Sequence, residues 1–168
     1  MSFSEIPKND IDLQQQLGSG AFGVVYKAKW KSKNRVVACK CIVLKPDGSS
    51  KQTADMIIKE IYGYVKCAGL FILPFYGYFY DIPSLSSARF FIVMEYMSNG
   101  SLTNFLQKEY HRLTLRRKLS IACDIASGMH RIHRHGIIHR DIRPDNILID
   151  TNYRAKIGDM GIAEGFQI

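Results

Sequence analysis

A short polar segment, residues 139–146, carries the side chains best suited to chemistry. It reads HRDIRPDN, and its proline and polar residues predict a loop. Asp141 can accept or orient a hydroxyl proton, and the amide oxygen of Asn146 can ligate a metal ion. Asp159, in the turn sequence GDMG, offers a second hard oxygen ligand, and magnesium needs only one or two of these beside substrate phosphates. Either acid alone is more typical of a capped turn, whereas the ordered set indicates a site.

A glycine-rich stretch near the N-terminus has the pattern of a phosphate-binding loop. Residues 18–25 follow GxGxxGxV, with Gly18, Gly20, Gly23 and Val25 at the fixed positions. Glycines let the backbone approach phosphate oxygens, because no Cβ intervenes. A dinucleotide-binding loop shares this spacing but opens a helix, whereas here the following residues continue as a strand, which favours a hairpin over phosphates. A glycine-rich hairpin without a ligand is the alternative.

A lysine in an apolar strand and a glutamate on an apolar helix face are candidates for an ion pair. Lys40 lies among apolar neighbours in the sequence VACK and needs a counter-charge. At about 100° per residue, Glu60 falls between Met56 and Tyr64 on the apolar arc of a predicted helix. Such a pair would hold Lys40 toward nucleotide phosphates. The alternatives are a lysine that reaches water from a sheet edge and a glutamate bound to a backbone N–H.

The formal net charge of +8 raises the question of a nucleic-acid partner. Much of the excess lies between His111 and Arg143, where the basic cluster at residues 112–118 is typical of a solvated helix face. A basic nucleic-acid module would also leave the ordered motifs unexplained. We therefore expect no nucleic-acid partner.

The histidines and cysteines do not form a metal-site or disulfide pattern. His130, His133 and His135 fall on one predicted helix, where only the first two share a face and no cysteine supports them, so zinc is disfavoured. The four cysteines are scattered without CxxC spacing. The sequence lacks an apolar run of the roughly 18–20 residues that a membrane span needs, and its first residues lack a signal-peptide pattern. These features favour a reduced, cytoplasmic setting.

The order of predicted elements indicates an α+β fold with two lobes and a cleft between them. Strands are predicted within residues 12–44 and at Phe75–Tyr80, Arg89–Glu95, Ile147–Ile149 and Ala155–Ile157. Helices are predicted at Thr53–Ala68, Ser101–Gln107 and from Leu115 to about His135, with Gly136 as a stop signal. Loops are predicted at residues 45–52 and 81–88. A small antiparallel sheet with one helix thus precedes a linker and a helical part.

Taken together, these motifs resemble the eukaryotic protein kinase family from Ile11 to Ile168. The glycine-rich loop matches at all four fixed positions, VACK resembles VAIK, HRDIRPDN resembles HRDLKPEN, and DMG resembles DFG. The resemblance implies an antiparallel sheet lobe with one helix and the hinge at residues 11–97. It also implies the start of a helical lobe at residues 98–168, while residues 1–10 are expected to form an N-terminal extension.

The resemblance implies ATP and Mg²⁺ as cofactors and assigns roles to the motif residues. Lys40 is expected to contact the α- and β-phosphates, with Glu60 as its brace. Asp141 is the expected catalytic base, and Arg143 joins the catalytic set. The expected magnesium ligands are Asn146 and Asp159. The expected ATP-binding residues are Leu17, Gly18, Ser19, Gly20, Ala21, Phe22, Gly23, Val24, Val25, Ala38, Lys40, Glu95, Met97 and Leu148.

The adenine ring is expected between Val25 and Ala38 above and Leu148 below. Its hydrogen bonds are expected at the hinge backbone, Glu95–Met97, with Met94 as the gatekeeper. The resemblance also implies a regulatory stack of side chains that contains Tyr64, His139 and Met160.

The sequence departs from the family pattern in three places. Arg143 replaces a lysine, keeping the charge but not the shape, while the neighbouring Pro144 favours the serine/threonine type. Met160 replaces phenylalanine. The glycine-rich loop, the hinge and the SNGSL segment look like the tyrosine-kinase-like branch. The family's activation segment and substrate-binding helices would follow Ile168, so we expect a C-terminally truncated domain with exposed apolar surface on the helix that begins at Leu115.

The resemblance implies transfer of the γ-phosphoryl group of ATP to a protein hydroxyl, with serine or threonine favoured over tyrosine. The expected partners are ATP and a protein substrate. The alternative is an inactive nucleotide-binding or regulatory fragment that docks on another kinase or a scaffold. The presence of every expected catalytic and metal-binding residue favours the enzyme.

Overall fold

The computed structural model describes residues 4–20, 23–44, 50–84, 87–161 and 163–165. The chain divides into two units, Met1–Ile57 with Phe75–Tyr96 and Ile58–Pro74 with Met97–Ile168. The strands within the described residues are β1 (Ile11–Gly20), β2 (Gly23–Trp30), β3 (Arg35–Leu44), β4 (Phe75–Ser84), β5 (Ser87–Glu95), β6 (Ile137–Ile138), β7 (Ile147–Ile149), β8 (Ala155–Ile157) and β9 (Glu164–Gly165). The α-helices there are α1 (Ser50–Lys66), α2 (Leu102–Glu109) and α3 (Leu115–Arg134). These elements confirm the predicted α+β class.

The first unit contains an antiparallel sheet in the order β1-β2-β3-β5-β4. Its central strand β3 is rich in β-branched and apolar residues, which suit a strand with neighbours on both sides. Val37, Cys39 and Cys41 alternate along β3 on one face and share a core cluster with Phe79 and Phe91. Burial raises the pKa of Cys39 to about 12, so this thiol stays protonated at neutral pH.

The segment at residues 4–10, expected to be an extension, packs along the edge of this sheet. The backbone N–H of Ile6 donates to the carbonyl of Tyr78 (2.8 Å), and the Ile6 side chain joins the core cluster. The Lys8 ammonium lies 2.5 Å from the Asp81 carboxylate and, by hydrogen bonding to it, lowers the Asp81 pKa. The edge strand β4 is therefore partly covered by the chain's own N-terminal segment.

This packing predicts that the N-terminal segment stabilises the sheet. Substitution Ile6→Ala removes buried methyl groups, so we expect the free energy of unfolding to fall by about 2–4 kcal/mol in urea titrations. The matched control is Ile82→Ala in β4, because the Ile82 side chain is 62% exposed. Equal denaturation midpoints for the two variants would contradict the inferred role of the segment.

Two predicted loops are shorter in the structure than the sequence indicated. Helix α1 begins at Ser50, so the predicted loop at residues 45–52 is wrong from residue 50 onward, and residues 45–49 lie outside the described part. Strands β4 and β5 continue through most of residues 81–88 because Asp81 faces Arg89 across the pair and their charges attract. Residues 85–86 of that predicted loop are not described.

The boundaries of α2 and α3 follow local capping chemistry. The Ser101 hydroxyl accepts a hydrogen bond from the Asn104 N–H at the start of α2 (3.3 Å). Thr114 caps α3 in the same way through the Arg117 N–H (3.3 Å). After α3, Gly136 has a φ of 66°, which confirms it as the predicted stop. Among the described helices, none has the length and apolar character needed to cross a membrane.

The buried face of α3 differs from the apolar face that its sequence periodicity indicates. That face consists of the apolar residues at three- and four-residue spacing, which are Leu115, Leu119, Ala122, Ile125, Ala126, Met129 and Ile132. Leu115 and Leu119 are instead 72% and 57% exposed, in line with the expected apolar surface on this helix. The buried positions are Ile121, Asp124, Gly128 and Ile132.

Contacts with β8 and with the residue just before it explain which face of α3 is buried. A Cβ at Gly128 would lie 2.8 Å from the Ile157 side chain, so glycine allows the close approach. Asp124 accepts two hydrogen bonds from the Arg154 guanidinium (2.7 and 2.9 Å) and a third from the Ala155 N–H (3.0 Å). A buried carboxylate with these partners sets the orientation that apolar periodicity alone did not predict.

Candidate active site

The loop at residues 139–146 brings Asp141 and Asn146 into direct contact. The Asn146 amide nitrogen donates to the Asp141 backbone carbonyl (2.9 Å) and to one Asp141 carboxylate oxygen (2.8 Å). A short 3₁₀ turn, Pro144–Asn146, closes the loop and leads into β7. Because the amide nitrogen faces Asp141, the amide oxygen lies on the opposite side of the group, where it can serve as a ligand.

His139 connects this loop with the chain before Asp159. The imidazole is fully buried, and its Nδ1 accepts the Asp141 N–H (3.3 Å). The Nε2 atom therefore carries the proton and donates to the Gly158 carbonyl (2.8 Å). Both ring nitrogens bind backbone groups, so His139 has a structural role in joining the two segments, which disfavours a role in catalysis.

The turn at residues 158–161 contains the second predicted metal ligand, Asp159, and is bonded to the residue that is the first. The Gly158 N–H donates to the Asn146 carbonyl (2.8 Å), so the backbones of the two segments are joined. Asp159 has a φ of 53°, a left-handed conformation that is costly for a residue with a side chain. One Asp159 carboxylate oxygen accepts the Gly161 N–H (3.4 Å), which helps to hold that conformation.

Helix α1 supplies two buried polar side chains beside this turn. The Glu60 side chain is fully buried, as its place on the apolar arc predicted, and a Cβ at Gly161 would lie 3.3 Å from its Oε2 atom. The buried Tyr64 hydroxyl accepts the Asp159 N–H (2.7 Å). Burial raises the pKa of Tyr64 well above its usual value, and the nearby Glu60 and Asp159 charges add to this.

The side chain of Met160 packs directly on α1. Met160 is fully buried, and a Cβ at Gly63 would lie 2.9 Å from its Cβ atom. The sequence placed Met160 and Tyr64 in one stack through family resemblance alone. No sequence pattern indicated that Gly63 leaves the space that the Met160 side chain occupies.

The glycine-rich stretch forms the predicted hairpin, with Gly20 opposite Gly23 where β1 meets β2. The continuation as a strand excludes the helix-opening alternative. A Cβ at Gly23, whose φ is 133°, would lie 2.1 Å from the Cys41 carbonyl oxygen, so glycine is required there by packing as well. The predicted contacts Ala21 and Phe22 lie outside the described residues.

The other predicted nucleotide contacts are divided between the two units. In the first unit, Val25 pairs with Lys40 across β2 and β3, and Ala38 pairs with Met94 across β3 and β5. The remaining members described in this unit are Leu17, Gly18, Ser19 and Val24 on β1 and β2, and Glu95 at the end of β5. In the second unit, Leu148 lies in β7 and pairs with Ser101, while buried Met97 accepts the Gly100 N–H (3.0 Å).

Lys40, on β3 of the first unit, is buried, with an exposed fraction of 7%. This confirms that the amine does not extend freely to water from a sheet edge. Its pairing with Glu60 stays a prediction.

Arg143 lies in a polar network that the sequence did not predict. Its Nε and Nη2 atoms donate to one Asp145 carboxylate oxygen (3.0 and 2.5 Å). The other Asp145 oxygen accepts the Thr103 hydroxyl (2.7 Å), and this bond followed by those from Arg143 lowers the Asp145 pKa. The feature of the sequence that could have indicated this network is the aspartate two residues after Arg143.

The donor atoms fit magnesium better than zinc. Within the described ranges, no group of three or more histidine, cysteine, aspartate and glutamate side chains forms a metal-binding cluster. Asn146 and Asp159 offer an amide oxygen and a carboxylate, the hard donors that magnesium takes together with substrate phosphates. Zinc would require three or four nitrogen or sulfur donors.

Comparison with known proteins agrees with this geometry. Residues 11–167 match the family described as "Protein kinase domain". The chain is 34% identical over 163 residues to "Serine/threonine-protein kinase CTR1" of Arabidopsis thaliana, covering 95% of this chain and 19% of that protein. It is 31% identical over 159 residues to "Serine/threonine-protein kinase 4 homolog B" of Dictyostelium discoideum, covering 94% of this chain and 13% of that protein. It is 34% identical over 153 residues to "Serine/threonine-protein kinase Aurora-1" of Arabidopsis thaliana, covering 91% of this chain and 50% of that protein. The chain thus spans half or less of the length of these relatives.

Proposed function

Because this chain belongs to the protein kinase domain family, we propose that it transfers the γ-phosphoryl group of ATP to a hydroxyl group of a protein substrate. The observation that carries the proposal is the contact between Asn146 and Asp141, in the same unit as the Asp159 turn. It sets a carboxylate that can receive a proton beside the Asn146 amide, whose oxygen is one hard donor, and Asp159 would supply the other. Phosphoryl transfer needs such positioning and charge stabilisation more than covalent chemistry.

In this proposal Asp141 orients the attacking hydroxyl and accepts its proton. The bond from Asn146 occupies one carboxylate oxygen, so the other oxygen is the expected acceptor. Arg143 brings a positive charge to the same loop, where Asp145 and Thr103 limit its movement. That charge would offset the negative charge of the transferred group.

The ATP-binding role is proposed for the residues that the family resemblance assigns to it. Lys40 would bind the phosphates, and a carboxylate such as Glu60 would hold its amine in place. Asn146 and Asp159 would hold magnesium, which when bound neutralises phosphate charge. Leu17, Val25, Ala38 and Leu148 would contact the nucleotide through apolar surface, and Glu95 and Met97 through the backbone.

Serine or threonine is the proposed acceptor. The three relatives described above are named serine/threonine-protein kinases. The proline after Arg143 supports the same type of catalytic loop. A cytoplasmic setting and membership of the tyrosine-kinase-like branch are also part of the proposal.

The test is transfer of radiolabelled γ-phosphate from magnesium–ATP to peptides that are identical except for a single serine, threonine or tyrosine. ATP binding is measured in parallel by calorimetry. Label on the serine and threonine peptides that requires magnesium would support the proposal, and label on tyrosine alone would overturn the acceptor. ATP binding without transfer would instead favour a nucleotide-binding regulatory fragment. Absence of both would overturn the proposed function.

A further inference from the structure

The backbone of Asp159 is held by a side chain from a distant part of the sequence. Its N–H donates to the hydroxyl of Tyr64, 95 positions earlier (2.7 Å). The Tyr64 side chain is buried, so this hydroxyl meets the Asp159 N–H inside the second unit and not at its surface.

The turn needs such a partner for two physical reasons. Asp159 has a left-handed backbone, which a residue with a Cβ adopts at a cost and keeps only when its surroundings fix it. A backbone N–H in a buried setting also requires an acceptor. Tyr64 supplies the acceptor.

We propose that the Tyr64 hydroxyl is a positioning group that fixes the direction of the Asp159 carboxylate. The inference rests on the proposed function, in which Asp159 binds magnesium. Rotation of the peptide before Asp159 would break the bond to Tyr64 and redirect the carboxylate. The hydroxyl therefore favours the one backbone conformation in which the Asp159 side chain caps the Gly161 N–H and presents its other oxygen.

A packing role for Tyr64 would not require its hydroxyl. The aromatic ring alone would fill the space in the core, and phenylalanine has nearly the same shape. The helix contains a matched tyrosine for comparison, because Tyr62 lies two residues earlier on α1 and is 51% exposed.

The experiment compares Tyr64→Phe with Tyr62→Phe in the 168-residue chain. We expect Tyr64→Phe to accelerate hydrogen exchange at the Asp159 amide, measured by NMR. We also expect it to raise the magnesium concentration for half-maximal binding of an ATP analogue by about tenfold, as loss of an outer-shell contact does. Binding at saturating magnesium should stay near the wild-type value, and Tyr62→Phe should change neither quantity.

The results separate this inference from the proposed function. Wild-type exchange rates in Tyr64→Phe would overturn the inference, as would faster exchange with an unchanged magnesium midpoint. If the wild-type chain binds no nucleotide, the proposed function fails, while the exchange rates still show whether the hydroxyl holds the turn. If Tyr64→Phe does not fold, 3-fluorotyrosine at position 64 provides the second variant. Fluorine keeps the hydroxyl in place but makes its oxygen a weaker acceptor, so faster exchange at the Asp159 amide there supports the inference and wild-type exchange overturns it.

Discussion

The substitution Asp141→Asn should reduce phosphoryl transfer by about 100- to 10,000-fold, the usual contribution of a positioned acid–base group. Asparagine has the size of aspartate but cannot accept the substrate proton. The bond with Asn146 can persist, because the new amide can turn its oxygen toward the Asn146 nitrogen. ATP binding should therefore remain unchanged while transfer is lost. Initial rates with labelled ATP and calorimetric titration measure the two quantities separately.

The control is Asp55→Asn, which removes the same charge from an exposed position on α1. It should leave both transfer and binding at wild-type values. Transfer by Asp141→Asn at the wild-type rate would exclude Asp141 as the base. A parallel loss of ATP binding would show that Asp141 contributes to nucleotide affinity instead.

The substitution Lys40→Met should weaken ATP binding by about 10- to 100-fold, as expected for the loss of a hydrogen bond between two charged groups. Methionine matches most of the lysine side chain in length and suits the buried position on β3, so the sheet should remain folded. Transfer should fall further than binding, because a bound phosphate without its cation is poorly oriented. Calorimetry with ATP and magnesium measures the affinity, and circular dichroism measures the fold.

Lys59→Met on the exposed side of α1 is the matched control for the loss of one positive charge. ATP affinity should be unaffected in this variant. If both substitutions reduce affinity equally, net charge rather than a specific contact at Lys40 determines binding. If neither does, the proposed phosphate contact is wrong.

Periodicity and capping chemistry were sufficient to predict most of the fold. The β-branched run of β3 and the N-cap at Ser101 act through neighbours in sequence, so their elements could be predicted locally. The buried face of α3 depends on Asp124, which lies inside because Arg154 and the Ala155 N–H meet it there. Periodicity counts a carboxylate as a solvent-facing residue, and the partners of Asp124 lie about 30 residues away. The packing of Ile6 on the sheet is likewise a long-range contact.

In the candidate site, too, local sequence patterns predicted some features, whereas contacts between distant residues could not be predicted. The spacing of Asp141 and Asn146 within one loop is local, so the sequence could place them together, and the structure does so. The burial of Glu60 followed from its position on the helix. The bond from Asp159 to the Tyr64 hydroxyl joins α1 to a turn after β8, and no local pattern encodes it. The side-chain link from Arg143 to Thr103 through Asp145 was missed for the same reason.

The absent side chain at Gly63 limits how α1 and the turn can move. Glycine lowers helix stability by about 1 kcal/mol relative to alanine, so the space that Gly63 leaves for Met160 reduces the stability of α1. If α1 rotated about its axis while the turn stayed still, another side chain of α1 would take the position of Gly63 and collide with Met160. The helix and the turn must therefore travel together or separate completely. Intermediate positions would be sterically blocked, so motion at this contact should be a step and not a continuous slide.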